Sequence, residues 1–424
     1  MPRTDAWHSE RMPEADPRIA QVLRNAASVK AMQPVFQPIY NLLTSTVVGA
    51  EALARWPDAP GVDPSAVIGE AREQGRICEI DQACRNASLH AATAQGHLDD
   101  GVTIFINAEP DALVQQFRSH EVFTVPTHGV RVILELTERA LLDDPAQLLN
   151  VVSQAREQGL GIALDDVGKN PDSLTLLSLI GPDVVKIDGS LISGPPTREQ
   201  LHVITAVNAY AEATGAAILA EGIETEDHRR RALEMGATLG QGWLLGRPAA
   251  LPPTRWPPVG VDERVRMEDQ PLDIPDRPSH LIRDNSPAVN KSVLVRYSRY
   301  LEEQALSSSD PLTILASVQS ADHFTDAVAD RYSELAAAHR LVAVIGTDMP
   351  LNPATGVRGT GIPSEHPLAD EWTLVLVGRH FFAALLARDL HAANTGSDRQ
   401  FVYMLTFDRA TVTAAARALL QHMH

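Results

Sequence analysis

Long hydrophobic runs are missing from this sequence of 424 residues. A helix that crosses a membrane needs about 18 or more consecutive apolar residues, and no such stretch occurs, so no membrane partner is predicted. The first segment, 1–17, carries charges and prolines instead of an apolar core. We therefore expect a disordered tail at 1–17 and a cytoplasmic protein.

Cysteine is scarce, with only Cys78 and Cys84 in the chain. Both fall in a segment, 67–93, whose pattern predicts helix, and a spacing of six residues places them on different helical faces. A structural disulfide is therefore not expected. No cluster of cysteine and histidine has the spacing of a zinc site.

Basic residues are outnumbered, since 36 Lys and Arg face 54 Asp and Glu, which gives a formal net charge of −18. Broad binding to the phosphate backbone of duplex nucleic acid needs clustered cations, so this class of partner is excluded. A phosphate ligand would require a metal or a few placed basic groups. The hydrophobic content of 44% is enough for cores in about two or three domains.

A glycine-rich phosphate loop after the first strand is also absent, which argues against a dinucleotide-binding fold. Strands at 35–40 and 47–56 are joined by a short turn and predict a hairpin. Helices and strands then alternate as far as about residue 242. About eight strands in such an order favour a closed α/β barrel over a doubly wound sheet.

The run 161–168 predicts a buried strand that ends in two adjacent carboxylates, Asp165 and Asp166. Their repulsion has to be relieved by a cation, a proton or water, and a divalent metal is the sharpest of these options. Aspartates before a glycine are also common turn formers, so the pair alone does not decide between a metal site and a turn.

Polar residues close or nearly close almost every predicted strand of the first half. The set is Glu51, Asn107, Glu135, Asp165, Asp166, Lys186, Glu221 and Gln241. In a barrel the carboxyl ends of the strands converge on one mouth, so these side chains are expected to meet there. An oxygen-rich set of this kind suits a hard cation such as Mg²⁺ or Mn²⁺.

The residues from about 35 to 248 resemble the EAL domains, the phosphodiesterases of cyclic di-GMP. The motif Glu51-Ala52-Leu53, followed by Arg55-Trp56, resembles the one that names the family. Further matching segments follow in the family's order, and together they make the resemblance specific: 36–39, 105–107, 135–138, 164–166, 185–188, 220–225 and 241–248.

The resemblance implies a TIM-like (β/α)8 barrel whose first strand runs antiparallel. It implies two ions, Mg²⁺ or Mn²⁺, one of them held by Glu51, Asn107, Glu135 and Asp165. Asp165 would bridge to the second ion, which Asp166 helps to hold. Two cations can polarise a phosphodiester and make hydroxide available near neutral pH.

The resemblance also implies roles for the remaining residues in opening cyclic di-GMP to linear pGpG. Lys186 would orient or deprotonate the attacking water, and Glu221 would act as general base or outer ligand. Gln241 is expected near the metal water and Arg55 at a phosphate. Gln37 would contact the guanine or ribose.

The loop after the paired aspartates departs from the family. EAL domains usually continue Asp-Asp-Phe-Gly-Thr-Gly-Tyr-Ser-Ser-Leu, whereas Val167, Lys169, Asn170 and Pro171 stand in this loop here. In the family this loop shapes the second metal site and the dimer contact, and the residue corresponding to Glu138 anchors it. A Glu138–Lys169 ion pair is a substitute anchor.

Two functions therefore remain open for the barrel. One is an active phosphodiesterase; the other is a catalytically weak EAL domain that serves as a receptor for cyclic di-GMP or as a protein-interaction module. Lys186 and Glu221, which a receptor does not need, favour the enzyme. A homodimer through the barrel or the C-terminal domain is a further predicted partnership.

We divide the chain into a barrel at 18–250, a proline-rich, semi-stiff linker at 251–287 and a second domain at 288–424. The second domain has the pattern of a small α/β or α+β fold, with a helix at 383–393 and a strand at 401–407. It resembles the DICT sensory domains in the order of its elements and in the segments 343–346, 356–359 and around Trp372. A dimerisation module is the alternative interpretation.

Overall fold

We describe the protein from a computed structural model. It describes residues 16–25, 32–93, 101–118, 130–137, 144–169, 174, 177–251, 259–268, 270–272, 274–390 and 399–423. Most of the predicted tail, and the predicted loop anchor Glu138, lie outside these residues. Among the described helices, none is long and apolar enough to cross a lipid bilayer.

Eight strands close into a barrel in the sequential order β1 to β8. The first strand runs antiparallel to both of its neighbours, β2 and β8, and the others pair in parallel. The predicted hairpin and barrel are therefore confirmed. The strands are β1 (Val35–Asn41), β2 (Val47–Leu53), β3 (Thr103–Asn107), β4 (Arg131–Thr137), β5 (Gly161–Val167), β6 (Val184–Ile187), β7 (Ala217–Ala220) and β8 (Leu239–Gly240).

Helices alternate with these strands on the outside of the barrel, and several begin at the residues that helices favour. Thr197 caps the helix Arg198–Thr214 with a full capping box. Asp63 and Asp144 cap two other helices, each of which begins with a proline. The helices of this half are Pro17–Asn25, Pro64–Glu73, Ile77–Thr93, Pro110–Arg118, Pro145–Glu157, Leu177–Ile180, Arg198–Thr214 and Glu226–Glu234.

The C-terminal half forms a second, seven-stranded sheet in the order β12-β11-β10-β13-β14-β15-β9. Its strands are β9 (Ala288–Asn290), β10 (Thr313–Ser320), β11 (Leu341–Thr347), β12 (Arg358–Ile362), β13 (Glu371–Val377), β14 (Phe382–Asp389) and β15 (Gln400–Thr406). Its helices are Lys291–Leu306, Asp326–Ala338 and Arg409–Leu420, and we call the last of these the terminal helix.

The predicted helix at 383–393 is wrong, because this segment forms strand β14. Alanine and leucine favour helix, but β14 pairs along its length with β13 on one side and β15 on the other. Residues Ala383 and Leu385 point into one core, and Ala384 and Leu386 point into the other. An apolar run buried on both faces has no alternation that would distinguish it from a buried helix.

The two faces of the second sheet are buried against different partners. The helices Lys291–Leu306 and Asp326–Ala338 cover one face, and the terminal helix covers the other. Residues of the terminal helix, among them Val412 and Leu419, belong to the same hydrophobic cluster as the interior of the barrel. The barrel and the second sheet therefore share one continuous core.

Described residues of the segment after the barrel pack into the core of the barrel. Val259, Val265 and Leu272 are buried, and Met267 packs against the strand β5 residue Gly161. These apolar side chains hold the described part of the segment against the barrel. The prediction of a semi-stiff spacer missed this packing.

Candidate active site

The polar residues predicted at the strand ends lie together at one mouth of the barrel. Strand register places them at a common level, since Asn107 pairs with Glu135, Thr137 pairs with Asp165, and Gln37 pairs with Glu51. Glu221 directly follows β7, and Gln241 directly follows β8.

Lys186 occupies the centre of this cluster, and its side chain is completely buried. Its Nζ lies 2.7 Å from Glu135 Oε1, 2.9 Å from Glu221 Oε1 and 3.0 Å from Asp165 Oδ1. Glu51 Oε1 is further away, at 3.8 Å. One ammonium group therefore faces four carboxylates in the cluster.

Side-chain amides hold Glu51 in place. Asn107 Nδ2 donates to Glu51 Oε1 at 3.0 Å, and Gln241 Nε2 donates to Glu51 Oε2 at 2.7 Å. Gln241 Nε2 also donates to Gln37 Oε1 at 3.1 Å, while Gln37 Nε2 donates to the Gly246 carbonyl at 3.0 Å. The amides fix the orientation of the carboxylate without neutralising it.

Arg55, a predicted phosphate contact, is not brought into the cluster. Its side chain is exposed, and Nη1 donates to the carbonyl of the neighbouring Ala54 at 2.7 Å. It lies two residues after the end of β2, the strand that carries Glu51. A ligand above the mouth would have to recruit the guanidinium from solvent.

Burial and mutual repulsion set the protonation of the buried carboxylates. Burial, with repulsion from Glu51, raises the pKa of Glu135 well above its usual range. Burial also raises the pKa of Glu221 to about 7, against the pull of Lys186. At Glu51 the effect of burial is outweighed by Lys186 and the two amides, so the pKa of this carboxyl is lowered.

Lys186 is a cation in this arrangement. Burial disfavours its charge, but the surrounding carboxylates, Glu135 foremost, outweigh burial and raise the pKa of Lys186 well above its usual range. A lysine that retains its proton can orient a water and stabilise negative charge, but it cannot accept a proton.

The donor set fits divalent cations. The cluster offers only hard oxygen and amide donors, and no thiolate or imidazole belongs to it. Both carboxylate oxygens of Glu135 are buried, and Oε1 contacts the ammonium of Lys186 at 2.7 Å. Among the residues that the structure describes, Asp165, Asp166 and Glu221 form the one group of three or more possible metal ligands that each offer an atom within 4.8 Å of the others.

Two residues near the mouth were not predicted as site residues in this arrangement. Lys169 Nζ lies 2.5 Å from Asp166 Oδ1 and 3.5 Å from Asp188 Oδ2. Glu138, the predicted partner of Lys169, lies outside the described residues. Asp188 follows β6 directly, so its position after a strand end was a signal that sequence reasoning had available.

A buried ion pair supports the loop that follows Asn107. Arg85 Nε lies 2.6 Å from Asp81 Oδ2, and both side chains are almost completely buried. Asp81 Oδ1 accepts a hydrogen bond from the Glu109 backbone at 2.9 Å. The helix Ile77–Thr93 thereby fixes the turn two residues beyond Asn107, a contact that the sequence pattern does not reveal.

Two relatives match a little more than half of this chain. Cyclic di-GMP phosphodiesterase RocR of Pseudomonas aeruginosa is 26% identical over 239 residues, which cover 55% of this chain and 61% of RocR. The probable cyclic di-GMP phosphodiesterase PdeI of Escherichia coli is 28% identical over 252 residues, which cover 57% of this chain and 32% of PdeI. The similarity thus spans less than two thirds of each relative.

Solved structures also resemble the chain. A complex of the PaMucR phosphodiesterase with c-di-GMP has 25% sequence identity and a TM-score of 0.46, and the match covers 55% of this chain and 98% of that one. The EAL enzyme Bd1971, bound to cAMP and cyclic di-GMP, has 27% identity and a TM-score of 0.46, with coverage of 55% and 65%.

Family models cover most of the chain. The model of the DICT domain, described as a sensory domain in diguanylate cyclases and two-component systems, matches residues 279–390. The model of the EAL domain matches residues 20–248, which is more than half of the 424 residues. The chain that places this carboxylate cluster at the mouth of its barrel is therefore a member of the EAL domain family.

Proposed function

We propose that this protein is a metal-dependent phosphodiesterase that hydrolyses cyclic di-GMP to linear pGpG. The observation that carries the proposal is the convergence of Glu51, Asn107, Glu135, Asp165 and Lys186 on one barrel mouth, where several carboxylates surround a single ammonium group. Relatives named as cyclic di-GMP phosphodiesterases support the choice of substrate.

Glu51, Asn107, Glu135 and Asp165 would hold one divalent cation, Mg²⁺ or Mn²⁺, and Asp165 and Asp166 would hold a second. Such ions, when bound, polarise a phosphodiester and lower the pKa of water. Glu51 is fixed for this purpose by Gln241 and Asn107, so little reorganisation is needed.

The protein's own groups would manage the water, the proton and the developing charge. Lys186, held as a cation by its carboxylate neighbours, orients the attacking water and stabilises the charge that develops on the phosphate. Glu221 contacts Lys186 at 2.9 Å and is partly exposed at the mouth, so it can reach a water and accept its proton. Arg55 would bind a phosphate of the ligand from the rim, and Gln37 would help to place a nucleoside.

The C-terminal domain is proposed to regulate this site through the terminal helix. Arg417 Nε donates to the Leu179 carbonyl at 2.8 Å and its Nη2 to the Ser178 carbonyl at 3.2 Å, while Arg409 Nη2 donates to Ser178 Oγ at 2.8 Å. Ser178 and Leu179 belong to the short helix between β5, which carries the paired aspartates, and β6, which carries Lys186. A shift of the C-terminal sheet would therefore displace the short helix that connects β5 to β6.

The receptor function remains the second candidate, and one contact favours it. Lys169 already neutralises Asp166, a predicted ligand of the second ion. A barrel with a weakened second ion would still bind a cyclic dinucleotide through its remaining groups. Such a protein would report cyclic di-GMP without consuming it.

The test is turnover of cyclic di-GMP by the full chain with Mn²⁺, read as pGpG by chromatography. Glu51→Ala should lower the rate by at least about a hundredfold, because it removes a direct ligand of the metal. Glu212→Ala, at an exposed position on the helix Arg198–Thr214, is the control and should leave the rate unchanged. Binding of cyclic di-GMP without turnover would support the receptor; neither binding nor turnover would refute both candidates.

A further inference from the structure

The paired aspartates carry a lysine of their own. Lys169 Nζ lies 2.5 Å from Asp166 Oδ1, and the two residues are only three positions apart. Lys169 is one of four lysines in the chain. In the family pattern a threonine stands at this position, so the cation is a feature of this chain.

The backbone is built to bring this lysine back to Asp166. Asp166 has a positive φ of 60°, and Gly168 has a φ of 111°. Lys169 N–H donates to the Asp166 carbonyl at 3.2 Å, which closes the turn. Residues with a side chain rarely adopt a φ of 111°, so glycine favours this turn.

A second carboxylate holds the lysine on its other side. Asp188 Oδ2 lies 3.5 Å from Lys169 Nζ. Asp188 Oδ1 accepts a hydrogen bond from the Ser190 backbone at 2.9 Å, which fixes this carboxylate at the start of a 3-10 turn. The ammonium therefore bridges a fixed residue and a predicted metal ligand.

Both carboxylates predicted to hold the second ion, Asp165 and Asp166, are thus already paired with an ammonium. Lys186 contacts Asp165 and Glu221, and Lys169 contacts Asp166. Lys186 also contacts residues that are predicted to hold the first ion. Among the ion pairs of the described residues, Lys169 contacts only Asp166 and Asp188. A divalent ion at Asp166 would meet an ammonium a few ångströms away.

We propose that Lys169 is a built-in counter-ion of Asp166 that weakens binding of the second divalent cation, so that the chain holds one ion tightly and the other weakly. Lys169 acts on the ion through Asp166 and is therefore a positioning residue. The inference rests on the metal-dependent function proposed above. Repulsion between an ammonium and a divalent ion a few ångströms apart, even in water-like surroundings, is enough to reduce affinity by about tenfold.

Titration of the full chain with Mn²⁺ by isothermal calorimetry, with free Mn²⁺ followed by electron paramagnetic resonance, tests the proposal without measuring activity. Wild type should bind one ion tightly and a second at least about tenfold more weakly. Lys169→Thr should strengthen the second event by about tenfold and leave the first within twofold. Lys169→Arg keeps the cation and should behave as wild type.

Lys291→Thr, in the C-terminal domain, is the matched control and should change neither event. The proposal is overturned if Lys169→Thr leaves the second affinity within twofold of wild type or weakens it, and a melting curve of each variant verifies folding. Turnover of cyclic di-GMP is assayed separately. If the wild type turns over cyclic di-GMP but Lys169→Thr does not change the second affinity, the proposed function stands and this inference is refuted. If Lys169→Thr changes the second affinity but no turnover occurs, this inference stands and the phosphodiesterase function is refuted.

Discussion

Glu371 gives the protein a stability that depends on pH in a defined direction. Its side chain is completely buried at the start of β13, where it accepts hydrogen bonds from the Ser279 backbone at 3.2 and 3.3 Å. Arg277 Nε is 3.9 Å from the carboxylate. Burial outweighs these favourable contacts and raises the pKa of Glu371 to about 7.

The sign follows from the proton balance. Between the ordinary pKa of a glutamate and about 7, the folded protein retains a proton on Glu371 that the unfolded chain releases. The free energy of unfolding therefore falls as pH rises through this window and is highest, for this group, below it. Each pKa unit corresponds to about 1.4 kcal/mol, so the full cost of ionising Glu371 is about 3 kcal/mol.

The assay is urea and thermal denaturation of wild type and Glu371→Gln at pH 5 and pH 8. The amide keeps an acceptor for Ser279 and carries no charge, so it should match wild type within about 1 kcal/mol at pH 5 and exceed it by about 2 to 3 kcal/mol at pH 8. Glu212→Gln, at an exposed position, is the control for general charge effects. A stability difference between Glu371→Gln and wild type that does not change with pH would refute the reasoning.

Two further predictions concern contacts that hold the site in place. Arg417→Met removes the donors to the Leu179 and Ser178 carbonyls and should lower the free energy of unfolding by about 1 to 3 kcal/mol, as measured by thermal denaturation. Arg198→Met, at an exposed position, is the control and should not change stability. An unchanged melting temperature for Arg417→Met would contradict this prediction. Arg85→Met leaves the buried Asp81 carboxylate uncompensated and should cost about 3 to 5 kcal/mol in urea denaturation. The double replacement, with Asp81→Leu added, should recover part of that loss, and no recovery would show that the pair does not act as a unit.

The candidate site was largely predictable because barrel topology converts strand position into spatial proximity. Glu51, Asn107, Glu135 and Asp165 are distant in sequence, yet each stands at or near a strand end, and parallel register brings such ends to one level. Gln241 and Glu221 follow the same rule. The individual roles assigned to these residues stay predictions, and for Arg55 the side chain points to its own backbone neighbour.

The second domain was predicted less well, for a physical reason. Its sheet is buried on both faces, so β14 has apolar residues at successive positions and lacks the alternation of a half-exposed strand. Strands β9 and β12 are only three and five residues long, and such short edge strands depend on their neighbours for stability. Local propensity does not encode pairing with distant strands.

The sequence by itself determined the barrel, its reversed first strand and the set of oxygen donors at the mouth, because apolar periodicity and strand-end polarity are local properties of the chain. Tertiary structure alone decided that Lys186 is enclosed by carboxylates, that Lys169 pairs with Asp166 and Asp188, and that the terminal helix holds Ser178 and Leu179. These contacts depend on the distances between charged groups brought together by folding. Electrostatic and packing energies vary steeply with such distances, and no pattern along the chain records them.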